Sequence, residues 1–285
     1  TFYYSDIIGA VKANDIKFGD GEMTLGDAIV TYDAAADRVG STSGNLYNAH
    51  GQRQAVGFTH TAGGTLDKSD SNDNWLLKGN YAESSDDTQK SGGSSITGGS
   101  GDDTILGGGG DYIDGGTGTN RIYLTDETLR RTSPTGATIV LNGGGSNVVH
   151  NFAEGFAGSD DNILIRNLTD ATFGYGTDGL VLSGTNGRVT FENLPEDVYA
   201  HELKLTDGAA TYNAAVAKEN ELIEVSNGNN ADIFYGNAAG ISFSEYTNAV
   251  EVNLNENAGT VGGREVAFRG LNKVTGGAGL TTLIG

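Results

Sequence analysis

The run from Gly98 to Tyr123 constrains this chain more than any other stretch, because it repeats a nine-residue phrase. It reads GGSGDDTIL, then GGGGDYID, then GGTGTNRIY. In the first unit Gly98, Gly99 and Gly101 are in register, Asp103 holds the sixth place and Ile105 the eighth. The third unit has Gly115, Gly116 and Gly118, with Asn120 sixth and Ile122 eighth. The middle unit is one residue short, and a gap before Gly109 keeps Asp111 and Ile113 in their slots. A solvated loop has no reason to place Ile at every eighth or ninth residue. Glycine tolerates positive φ, so GGxG predicts a tight turn with inward carbonyls. The residues that follow predict a very short strand with its apolar side chain inside.

The pattern G-G-x-G-x-D-x-U-x, with U a large apolar residue, resembles the repeat of the RTX family of calcium-binding extracellular proteins. The clear match covers well under half of the chain. Weaker echoes follow at Asn142–His150, with Asn147 sixth and Val149 inward, and at Asn227–Tyr235, with Asp232 sixth and Phe234 eighth. A last echo at Gly276–Ile284 has Thr281 where Asp belongs, and predicts a calcium-poor coil.

The resemblance implies an all-β fold: a parallel β-roll or β-solenoid with calcium-binding glycine-rich turns, flanked by further β-rich modules. Two nonamers then make one coil, turns two repeats apart stack, and Ca2+ sits between them. Calcium takes six to eight oxygens, which turn carbonyls and an Asp carboxylate supply. The implied metal ligands are Asp103 facing Asn120 across one ion, with Gly98, Ser100, Gly116 and Gly118 in the two turns. Asp111 is expected to pair with the turn at Asn147 in a second site, and Asp232 to serve the later repeat. Asn120, Asn147 and Thr281 depart from the family's Asp, which lowers the charge available to an ion. The family also implies export in one step and folding outside the cell, where calcium is plentiful.

Composition supports many short β segments joined by glycine turns. Among 285 residues there are 46 Gly, 2 Pro and no Cys. The net charge of −20 excludes nucleic acid as a partner, since binding it needs a basic footprint, and argues against an anionic membrane surface. The same acid excess suits a chain that is swollen without calcium and compact with it. The absence of Cys excludes a disulfide scaffold, a thiol nucleophile and a Cys-based zinc site. No apolar run approaches the ~18 residues of a membrane helix, so no transmembrane segment is expected. Thr1 is not an initiator Met, no signal-peptide pattern opens the chain, and Leu283-Ile284-Gly285 falls inside a repeat-like phrase. We therefore expect a piece of a longer protein.

Four regions are expected. Residues 1–90 predict a β-rich domain with strands at Phe2–Tyr4, Ile7–Ile8, Asp15–Phe18, Ala28–Tyr32 and Trp75–Leu77. There Gly19–Gly21 marks a turn, Ala34–Asp37 a helical turn at most, and Glu83–Gly93 a linker or surface loop. Residues 91–150 hold the roll, with an excursion at 125–138 that contains Arg130, Arg131 and Pro134. Residues 151–225 resemble the capping region that follows RTX rolls; in it Asp160 and Asp161 either bind calcium or sit in a turn. The alanine-rich stretch Asp207–Leu222 predicts a short helix. Residues 226–285 form a second, degenerate roll, in which Val250–Leu254 alternates as a half-buried strand does.

Catalytic signatures are absent. His201-Glu202 is followed by Leu203, Lys204 and Leu205, which breaks H-E-x-x-H. No G-x-S-x-G elbow and no phosphate-cradling loop occur. Asp70–Asn74 lacks the Gly and Glu of an EF-hand loop. The function expected is thus a calcium-binding extracellular structural protein on a bacterial cell surface, a layer, filament or adhesin component that associates with its own copies. Two alternatives stay open. One is a secreted carbohydrate-active enzyme using paired acids such as Asp86-Asp87 or Asp160-Asp161. The other is a module that binds a surface glycan through the excursion.

Overall fold

The computed structural model describes the strands between residues 21 and 58 by their backbone. It describes fully residues 64–72, 74–79, 81, 93–126, 135–156, 160–177, 179–196, 198–218, 221–236, 240–279 and 281–285. The strands expected at Phe2–Tyr4, Ile7–Ile8 and Asp15–Phe18, the turn residues Gly19-Asp20 and the helical turn at Ala34–Asp37 lie outside these. So do Asp86, Asp87, most of the Glu83–Gly93 segment, and Arg130, Arg131 and Pro134 of the excursion.

The regular structure among the described residues is β-strand apart from one 3-10 turn at Leu168–Asp170. It opens with β1 (Gly21–Leu25), β2 (Ala28–Asp33), β3 (Arg38–Ser43), β4 (Leu46–Tyr47) and β5 (Arg53–Phe58). Short strands follow: β6 (Thr65–Asp67), β7 (Trp75–Lys78), β8 (Ser95–Thr97), β9 (Thr104–Gly107), β10 (Tyr112–Asp114) and β11 (Thr119–Leu124). Next come β12 (Thr138–Leu141), β13 (Ser146–His150), β14 (Asn162–Ile165), β15 (Thr172–Gly176), β16 (Gly179–Gly184) and β17 (Gly187–Glu192). Beyond them lie β18 (Ala200–Asp207), β19 (Ala210–Ala217), β20 (Ile223–Glu224), β21 (Ile233–Tyr235) and β22 (Gly240–Ser242). The last are β23 (Val250–Asn253), β24 (Ala258–Val261), β25 (Arg264–Arg269), β26 (Lys273–Thr275) and β27 (Thr281–Ile284). Among the described residues no helix is long and apolar enough to cross a membrane.

From β5 to β14 successive strands alternate between two sheets. One sheet stacks β5, β7, β9, β11, β13 and β17 in parallel; the other stacks β6, β8, β10, β12, β14 and β18 in parallel. The register places like residues over like. Ile96, Ile113, Ile139, Ile163 and Leu205 form one column. Leu77, Ile105, Ile122, Val149 and Phe191 form the other. Both columns belong to one buried cluster. The eighth-position Ile of each nonamer is fully buried, which stabilises each strand by about 1.5–3 kcal/mol.

Antiparallel hairpins take over at both ends of this ladder. β1–β2–β3 lead into β5, β15–β16–β17 close one sheet, and β18–β19 turns the other. β21 then adds in parallel to β19, and β23–β24–β25 form a meander beside it. A separate three-stranded parallel sheet joins β20, β22 and β26. The helix expected at Asp207–Leu222 is not formed: Ala210–Ala217 is strand β19. Its alanines have a packing reason. Ala214 and Val216 face the first core, and Ala215 and Ala217 face a second one built on Phe234, Phe243 and Phe268. A strand buried on both faces between two cores needs small side chains, and tertiary packing overrides helix propensity.

Candidate functional site

Asp103 and Asp111 sit directly before β9 and β10, Asn120 and Asn147 are the second residues of β11 and β13, and all four are buried. Asp103 is 1% exposed. Its Oδ1 accepts the Trp75 N–H at 2.7 Å and its Oδ2 the Gly99 N–H at 3.1 Å. Asp111 repeats the geometry in the other sheet, accepting from Ser94 N–H at 2.7 Å and Gly108 N–H at 2.8 Å. Asp161 does so again with Ala137 N–H at 2.7 Å and Ala153 N–H at 2.8 Å. In each case one oxygen holds the stacked residue of the neighbouring coil and the other holds the residue's own approach. Buried N–H groups at strand starts need acceptors, and these carboxylates supply them. Burial pushes the Asp103 carboxyl up to about 6, against the pull of the Trp75 and Gly99 N–H groups.

Asn120 is adjacent to Asp103, as expected. Its Oδ1 accepts the Asp103 backbone N–H at 2.9 Å, and its Nδ2 donates to Asn147 Oδ1 at 3.2 Å. Asp103, Asn120 and Asn147 therefore form one column down the β9–β11–β13 sheet. The expected pairing of Asp111 with Asn147 is not made: Asp111 precedes β10 and Asn147 lies on β13, in different sheets. The physical reason is the strict alternation of strands, which stacks each turn only on those of its own sheet.

The glycines of these turns pack against neighbouring oxygens. A β-carbon on Gly98 would lie 2.4 Å from Asp103 Oδ2 and 2.5 Å from Gly115 O, so two oxygens converge over this glycine. Gly116 has φ +76° and its missing β-carbon would lie 2.1 Å from Gly99 O; that of Gly118 would lie 2.1 Å from Gly101 O. Side chains at these places would break the stacking. A carboxylate has about four lone-pair positions, and Asp103 uses two on N–H groups. Two oxygens, Asp103 Oδ2 and the Gly115 carbonyl, come together at Gly98, where the turns pack too closely for a side chain. Ser100 is exposed and donates its N–H to Ser71 O at 2.8 Å. No group of three or more His, Asp or Glu side chains gathers among the described residues. A cation here would thus be held largely by backbone oxygen.

Asp232 belongs to a different part of the molecule. Its Oδ2 accepts the Asn213 N–H at 2.8 Å, as the other acids do, and its Oδ1 lies 3.4 Å from Arg264 Nη1. Thr281, the residue in the Asp place of the last echo, accepts the Gly277 N–H through Oγ1 at 3.2 Å. The two described histidines each face a carboxylate. His150 Nδ1 lies 3.0 Å from Glu192 Oε2 and its ring stacks on Tyr123 at 4.3 Å. Buried His201 lies 3.1 Å from Glu154 Oε2, which also accepts the Glu202 N–H at 3.1 Å. Burial raises the Glu202 pKa, helped by the charges of Glu154 and Asp160.

The sequence reading misses Arg264 altogether and the N–H contacts of Asp161. Asp161 was weighed only as a turn or calcium residue, although it sits directly before an apolar strand as Asp103 and Asp111 do. Arg264 had no local signal, since its partners lie 32–35 residues earlier. No protein-family model matches the chain, and no curated protein or solved structure matches it. The likeness to RTX repeats accordingly rests on the residues themselves.

Proposed function

We propose that this chain is an extracellular structural protein: a parallel β-solenoid of the β-roll type, stabilised by calcium, that self-associates within a bacterial surface layer, filament or adhesin. The observation that carries the reading is the alternation of short parallel strands between two sheets, with glycine turns stacked on glycine turns. Such a ladder supplies length and stiffness, and its ends supply edges for further copies. Strand β27 lies at the edge of its sheet, with Leu283 and Ile284 about half exposed. Calcium enters through the nonamers and through Asp103, a buried carboxylate whose charged form a cation would stabilise. The test is light scattering and electron microscopy of the full chain with and without millimolar calcium. Regular assemblies are expected with calcium; a monomer under every condition would sink the reading.

Glycan binding is a second reading, favoured by one groove. It has a volume of about 750 Å³, and its lining includes Asp207, Tyr212, Glu251, Asn253, Glu256 and Glu265. Acids, an amide and a phenol ring suit sugar hydroxyls. Saturable binding to a glycan array, lost on Tyr212→Ala, would support it; an empty array would remove it.

A further inference from the structure

The turn before β21 gathers oxygens as a metal site does, and a side chain fills it. Arg264 Nη2 donates to Ala231 O at 2.7 Å and to Asn229 O at 3.3 Å. Its Nη1 donates to Asn230 O at 2.6 Å and faces Asp232 Oδ1 at 3.4 Å. Three successive backbone carbonyls and one carboxylate thus converge on a single positive charge. Three consecutive carbonyls point to one side only when the backbone turns sharply, and the turn here opens at Gly228 with φ +99°. Asn229 Oδ1 holds the Ala231 N–H at 2.9 Å, and Asp232 Oδ2 is fixed by the Asn213 N–H. The oxygens are therefore positioned by contacts other than Arg264 itself.

Carbonyls plus one carboxylate are the donor set of a hard divalent cation. A guanidinium needs the same oxygens but is always charged and cannot diffuse away. Arg264 is the first residue of β25, which pairs in parallel with β21. It reaches back from the next coil onto the turn below it. A cation between stacked turns is the place where the nonamer pattern puts calcium.

We propose that Arg264 is a built-in cation that stands in for a metal ion at the 229–232 turn, making this turn independent of calcium. Removing the guanidinium uncovers a divalent-cation site made of the carbonyls of Asn229, Asn230 and Ala231 and the Asp232 carboxylate. This goes beyond the calcium reading of the Gly98 turn and stands apart from it, because it concerns different residues.

The experiment counts calcium ions bound per chain by equilibrium dialysis and follows unfolding by circular dichroism, on the full chain. Wild type is compared with Arg264→Met, which keeps the aliphatic stem and removes the charge, and with Arg264→Lys, which keeps the charge. Arg264→Met is expected to bind one more calcium than wild type, with a dissociation constant of roughly 0.1–1 mM, the range of extracellular calcium modules. Its unfolding midpoint falls in chelator and recovers in calcium. Arg264→Lys gains no ion, and adding Asp232→Asn to Arg264→Met removes the extra one. No additional ion, or destabilisation that calcium leaves untouched, overturns the proposal. Calcium bound by wild type reports separately on the Gly98 turn, so the two readings fail independently.

Discussion

The side-chain oxygen of Asn120 accepts the backbone N–H of Asp103, seventeen residues earlier, at 2.9 Å. Asp103 in turn holds the N–H of Trp75 at 2.7 Å. A repeat acid or amide here fastens its own strand to the neighbouring one, whatever else it binds.

Asp103→Ala is therefore expected to strand two N–H groups, that of Gly99, buried, and that of Trp75, partly buried. Each unsatisfied buried donor costs about 1–3 kcal/mol, so we expect a loss of about 2–4 kcal/mol in urea unfolding. Asp102→Ala, an exposed neighbour whose Oδ1 accepts the Thr119 N–H, is expected to cost well under half as much. Equal costs for the two would contradict the fastening role of Asp103.

Acidity gives a second handle. The Asp103 carboxyl is raised from 3.8 to about 6 in the folded chain. Between those values the folded state holds the proton more tightly than the unfolded one. The contribution of this group therefore grows as pH falls from about 6 toward 4 and is lost as pH rises again. Its size is on the order of 2–3 kcal/mol, at 1.36 kcal/mol per unit. Stability measured against pH with wild type and Asp103→Asn should differ in slope over this window and run parallel above pH 7.

Calcium should act on the same carboxylate from the other side of neutrality. At pH 7.5 calcium at ten times its dissociation constant is expected to add about 1.4 kcal/mol per site. Asp103→Ala should lose that gain while Asp161→Ala should keep it, because the convergence of oxygens lies over Gly98. A thermal melt in chelator and in calcium reads the difference.

Assembly should depend on an edge. Leu283→Lys places a charge on the half-exposed face of β27 and should reduce light scattering at least severalfold without shifting the unfolding midpoint. Unchanged scattering would move the contact elsewhere on the molecule.

Much of this arrangement is legible in the residues. Ile105, Ile113 and Ile122 mark their strands by spacing alone, and Asp103 and Asn120 do meet. The N–H groups that Asp103 holds are not legible, because nothing near it in sequence announces Trp75, twenty-eight residues earlier. The separation of Asp111 from Asn147 depends on which sheet each strand enters, a fact of topology. Ala210–Ala217 misleads because its alanines answer to two cores at once. Arg264 is silent because nothing near it in sequence announces the oxygens that receive it.

The seventeen-residue step from Ile105 to Ile122, and from Ile96 to Ile113, has a mechanical consequence. Seventeen residues have a contour length of roughly 58 Å at about 3.4 Å each, yet neighbouring strands in a sheet are only about 4.8 Å apart. A seventeen-residue step that opens under tension would let out roughly 53 Å, the difference between about 58 Å and about 4.8 Å. A chain stacked this way would yield in steps, letting out slack one strand pair at a time while the strands still paired keep their grip.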